Sequence, residues 1–158
     1  MQFDELMAVF AEKVGLAGLE PDGDGAYHIN VDDMAVSFGE NRTSEEVFML
    51  AEVGQPPPEG REQLFRKLLQ AMKPGGAMDG LVFSCGERDD VILMHRRMSL
   101  PLLDAEGFMT GVETFVNQLE LWRRLLADFR PLAASVAEAR QADDEERRSL
   151  DARGFLQV

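Results

Sequence analysis

The chain has 158 residues, enough for one domain of ordinary size, and it is 45% apolar and 28% charged. Its 29 acidic residues outnumber its 16 Lys and Arg, leaving a formal charge of −13. That balance disfavours nucleic acid and anionic membrane as partners, since both are bound by basic residues. The single cysteine, Cys85, excludes an internal disulfide, and no Cys/His cluster has zinc spacing. No apolar run approaches the ~18 residues of a membrane span. Met1 to Glu5 carries two acids and no base, unlike a signal peptide. The expectation is a soluble, acidic protein of a reducing compartment, with no cofactor and no metal.

The first element is a helix. Phe3, Leu6, Met7, Phe10 and Val14 recur at helical spacing, with Asp4 and Glu5 placed to complement the positive end of the dipole. Gly15 and Gly18 stop it, and Glu20 to Gly25 reads as turns. Tyr27, Ile29 and Val31 alternate with polar residues, as do Met34, Val36 and Phe38, so two strands meet around Asp32-Asp33. A polar loop, Gly39 to Glu46, leads to a third strand, Val47 to Val53, apolar on both faces for most of its length. Such a strand calls for cover on both sides or for a partner. Three short strands in sequence predict an antiparallel meander.

Gly54 to Gly60, with three consecutive prolines, reads as a rigid connector. A second helix carries Leu64, Phe65, Leu68, Leu69 and Met72 and ends at Pro74-Gly75-Gly76. Leu81 to Cys85 and Val91 to Met94 read as two further strands, with Cys85 as a buried spacer and Pro101 closing the segment. Asp104 then caps the strongest helix, whose stripe of Phe108, Val112, Phe115, Leu119, Trp122 and Leu126 is wide enough to face a core. Residues 1–130 thus read as an α+β domain of helix, three strands, helix, two strands and helix, its antiparallel sheet packed by helices. Residues 131–158 form a polar extension, partly helical or disordered, with an apolar tip at Phe155, Leu156 and Val158.

Catalytic chemistry finds little support. His28 and His95 are the only side chains of the type suited to acid–base work near neutrality, and both sit where surface or strand-edge histidines are ordinary. Asp22 and Asp24 lack the remaining ligands of a calcium loop, and Gly75-Gly76 follows a helix instead of opening one. A hydrolase built on an acid pair such as Asp89 and Glu106 would need both carboxylates in one pocket. The nine methionines, by contrast, suit an adaptable apolar binding surface.

Three stretches carry a family resemblance. They are Leu50 to Pro58 running into Leu64 to Met72, Val91 to Asp104, and Phe108 to Trp122 with Phe115-Val116 and Trp122-Arg123. In this order they resemble the class I type III secretion chaperones of the CesT/Tir-chaperone family. The resemblance implies a non-enzymatic homodimer in the bacterial cytoplasm that binds the N-terminal region of a secreted effector. It keeps that region partly extended and aids delivery to the export apparatus, with a secretion ATPase as a further partner. Phe3, Leu6, Phe10, Val36, Phe38 and Phe48 match the cargo-binding positions. Leu64, Phe65, Leu68, Leu69, Leu81, Phe83, Ile92 and Met94 match the dimer interface. The alternative is a regulatory adaptor of similar fold that sequesters a protein partner without exporting it.

Overall fold

A computed structural model describes residues 2–75, 78, 80–87 and 90–132. Its elements are α1 (Phe3–Val14), β1 (Tyr27–Val31), β2 (Met34–Asn41), β3 (Glu46–Gly54), α2 (Arg61–Ala71), β4 (Leu81–Cys85), β5 (Ile92–Ser99) and α3 (Ala105–Ala127). A short 3-10 turn at Leu100–Leu102, with Pro101 inside it, joins β5 to α3. The strands form one antiparallel sheet in the order β1-β2-β3-β5-β4, so β1 and β4 are its edges. The expected α+β order of elements is the observed one.

Period-two alternation explains the layering. Tyr27, Ile29, Val36, Phe38, Val47, Met49, Ala51, Met94 and Phe83 all turn to one face and are buried there. The apolar stripes of α1 and α3 close over that face. Phe10, Phe38 and Phe108 meet with ring centroids 5.5 to 5.9 Å apart, joining α1, β2 and α3 at one point. Trp122 of α3 stands edge-on to Phe83 of β4 at 4.9 Å and donates its indole N–H to Sδ of Met78 at 3.1 Å. Asp104 caps α3 as its sequence position predicts, Oδ1 accepting the Gly107 N–H at 2.7 Å.

Three local expectations are corrected. The loop between β2 and β3 is shorter than Gly39 to Glu46, because the ladder pairs Gly39 with Phe48 and continues to Asn41 and Glu46. Asn41 Oδ1 then closes the turn by accepting the N–H groups of Thr43 and Ser44. Strand β5 does not stop at Met94 but runs on to Ser99, paired with β3 as far as Glu46. Its polar run His95-Arg96-Arg97 conceals a strand that main-chain pairing sustains. Cys85 is exposed instead of buried, since it ends an edge strand beyond the last core residue, Phe83.

The second face of the sheet carries Ser37, Phe48, Leu50, Glu52, Leu93, His95, Arg97 and Val82, all half-buried or exposed. Phe48 lies across Gly39, where a Cβ would come within 2.2 Å of the ring tip. Of the extension from residue 131 on, only Pro131 and Leu132 are described. Pro131 packs on Gly60 ahead of α2, and the Leu132 N–H donates to Oε1 of Gln63 at 2.9 Å. The tip formed by Phe155, Leu156 and Val158 lies outside the described residues.

Candidate functional site

The two-residue turn Asp32-Asp33 sets the exposed edge of β1. It makes Val31 and Met34 a pair that exchanges both hydrogen bonds, and the antiparallel alternation does the same for Ile29 with Val36 and Tyr27 with Phe38. The main-chain N–H and C=O of His28 and Asn30 therefore point away from β2. Among the described residues no other main-chain group bonds to them. Arg123 of α3 holds the hairpin in place, donating to the carbonyl O of Asp33 at 3.2 Å and to its Oδ2 at 3.0 Å.

Beside this edge lies a cavity of about 640 Å³ between α1, β1 and α3. Phe10, Ile29 and Val112 form its buried floor. Val14, Leu16, Val31, Met109 and Val116 line it while partly open to water. Gly15 adopts φ +74° and ends α1, which leaves Leu16 projecting beyond the helix. Lys13, Glu106 and Glu113 are the charged groups of the lining. An edge with unpaired main-chain groups beside an apolar trough has the features that receive an added strand and its side chains.

A second apolar groove of about 510 Å³ runs between α2 and the end of α3, lined among others by Leu64, Leu68, Trp122, Leu126 and Phe129. On the outer side of α2, Phe65 is half-buried and Leu69 is 66% exposed, flanked by Arg61, Glu62 and Arg66.

The residues carried over from the family resemblance separate by depth. Phe3, Leu6, Phe10, Val36 and Phe38 are core, where they join α1 and the sheet, and only the edge of Phe10 reaches the cavity. Phe48 stands on the opposite face of the sheet. Of the residues matched to the dimer interface, Leu64, Leu68, Leu81, Phe83, Ile92 and Met94 are buried within the chain itself, leaving Phe65 and Leu69 available outside. The periodicity that marks an apolar stripe finds its centre. The cavity is lined at the margins: Val14 ends the stripe of α1, Leu16 follows the helix, and Met109 and Val116 flank the stripe of α3.

Sequence spacing also gave no sign of a surface trio. His28 Nε2 lies 2.8 Å from Asp22 Oδ2, and its Nδ1 lies 2.9 Å from Ser37 Oγ. The bond to His28, with main-chain N–H bonds from Ala26 and Asp24, holds the Asp22 carboxyl below its usual range. All three groups stand at the surface, and their bonds fasten the turn at Asp22 to β1 and β2. Asp89 lies outside the described residues, while Glu106 lines the apolar cavity. Among the described residues no group of three or more His, Cys, Asp or Glu is placed to hold a metal. Nor is any described helix long and apolar enough to cross a membrane.

His95 faces Leu50 and Val82 across the open side of the sheet. Burial pushes its pKa below the ordinary value, and the nearby Arg97 charge adds to the effect. The folded chain thus favours neutral imidazole, whereas the unfolded chain takes a proton near pH 6.5. This contribution to stability is full above that pH and declines as pH falls through it. Urea midpoints measured from pH 7.5 to 5 should show that decline, and His95→Gln should flatten it.

The model of the Tir chaperone protein (CesT) family matches residues 5–123. No curated protein matches the sequence. Among solved structures, a chain of the ExsC–ExsE complex superposes with a TM-score of 0.67 at 22% identity, over 82% of this chain and 94% of that one. The structure of the Yersinia pestis type III secretion chaperone SycH with a fragment of YscM2 gives 0.62 at 16% identity, over 77% and 99%. The ExoU–SpcU complex of Pseudomonas aeruginosa gives 0.62 at 13%, over 79% and 98%. At such identities the likeness is one of fold.

Proposed function

Because the chain belongs to the Tir chaperone protein (CesT) family, we propose that it is a type III secretion chaperone for an effector's N-terminal region. The carrying observation is the edge of β1, free among the described residues, beside the apolar cavity. An incoming extended segment pairs with the main chain of His28 and Asn30 and sets alternate side chains against Val14, Leu16, Val31, Met109 and Val116. Main-chain pairing tolerates variation in the bound sequence. The chain's net charge of −13 keeps an apolar docking surface soluble. No step calls for catalysis or a cofactor.

The reading includes a homodimer in the bacterial cytoplasm, with Phe65 and Leu69 on the outer side of α2 as the apolar contact. Delivery to the export apparatus, and contact with its ATPase, would follow from family membership. An adaptor for a folded partner is less well supported, because a strand edge and a trough suit an extended chain. The test uses the intact chain and Asn30→Pro as baits in the native bacterium. Proline removes the outward N–H at position 30 while the bonds of Ile29 and Val31 to β2 remain. The expected result is a secreted protein held through its N-terminal region and retained about tenfold less by the variant. Capture of folded partners alone, or equal retention by both baits, would overturn the reading.

A further inference from the structure

We propose, resting on the strand-docking reading above, that the cavity beside β1 selects a segment bearing a Lys or Arg, which Glu106 and Glu113 recognise. These two carboxylates lie seven residues apart on α3, two turns or about 10.5 Å along the axis, and both line the cavity. Neither forms an ion pair among the described residues, and neither does Lys13, the remaining charged group of the lining.

The contrast with other helical carboxylates is informative. Glu62 pairs with Arg66 and Glu120 with Arg124, each one turn further along its helix. The corresponding positions for Glu106 and Glu113 are Thr110 and Asn117; one turn back from Glu113 is Met109, and Glu106 itself lies in the first turn of α3. Both carboxylates therefore lack a basic neighbour on their own helix at the place where α3 borders the apolar cavity. Two negative groups against one positive group give the lining a net charge that an incoming base complements. A strand laid over the cavity also displaces water, which strengthens attraction to a base and repulsion of an acid. The chain's overall charge adds long-range attraction of the same sign.

The test compares three synthetic peptides of one alternating apolar sequence, differing only in a central Lys, Gln or Glu, by calorimetry on the full chain. The expected order of affinity is Lys, Gln, Glu, with about tenfold between the extremes at low salt and less at high salt. Glu106→Gln with Glu113→Gln should level the series, and Glu106→Lys with Glu113→Lys should invert it. A second variant, Thr110→Lys with Asn117→Lys, supplies each glutamate with a base one turn away and should also level it, while circular dichroism checks the helices. Equal binding of all three peptides to the unaltered chain would overturn the charge selection and leave strand docking standing. The same Lys preference in every variant would overturn it too. Failure of all three peptides to bind would remove strand docking itself, and this proposal with it.

Discussion

Met109→Glu combined with Val116→Glu is expected to weaken capture of an extended client segment by about a thousandfold. Both side chains are half-buried in the lining of the β1 cavity, one on either side of Val112. Central apolar contacts of a docking site each contribute about 2 kcal/mol or more when truncated or made polar. A carboxylate at either position further requires desolvation as the client strand arrives. Both residues are only partly buried and pack on the margin of the core, so stability should fall by about 1 to 3 kcal/mol and the domain should stay folded. Calorimetric titration of the client segment measures the first effect, and urea unfolding the second. An affinity unchanged by both substitutions would place client binding elsewhere on the molecule.

Phe108→Ala acts on the opposite property. Its ring has no exposed surface and sits against Phe10 at 5.5 Å and Phe38 at 5.9 Å, where α1, α3 and the sheet meet. Removing a buried phenyl leaves a cavity and costs about 3 to 5 kcal/mol. A domain whose whole stability is about 5 to 15 kcal/mol can lose a third or more of it through this one change. The expected fall in Tm is about 10 to 20 °C, read by thermal unfolding followed by circular dichroism. Client binding should weaken only as the folded fraction falls, which separates this variant from the groove pair.

The contrast between those two substitutions shows what the sequence could disclose. The stripe through Phe108, Val112, Phe115 and Leu119 follows helical spacing so plainly that both the helix and its buried face could be read from it. Alternation in Tyr27 to Phe38 made β1 and β2 equally plain, with the Asp32-Asp33 turn between them. Strand β5 was only half visible, because His95 to Arg97 carry polar side chains and the pairing with β3 is made by the main chain. The placing of β5 between β3 and β4 leaves no local trace either, since partners across a sheet are chosen by packing.

The candidate site was the least legible part. A free strand edge is defined by the absence of a neighbour, which only the strand order reveals. Phe3, Leu6, Phe10, Val36 and Phe38 match the family's cargo-binding positions, and in the fold all five are buried in the core. Cys85 followed the alternation of β4 but outran the core beneath it. The family resemblance implies the observed fold, whereas the depth at which each matched residue lies comes only from the folded chain.

Trp122 is the only tryptophan of the chain, and its indole is tied to Met78 and Phe83 near the β4 edge of the sheet. The β1 edge lies four strand spacings away, roughly 19 Å. The indole points to β4, yet α3 also lines the β1 cavity as far as Asn117 and holds the β1–β2 turn through Arg123. Intrinsic fluorescence is thus a built-in gauge of how α3 sits between the two edges. A shift of emission on adding client would signal that the load moves α3 against β4, and a silent titration that it is carried at β1 alone.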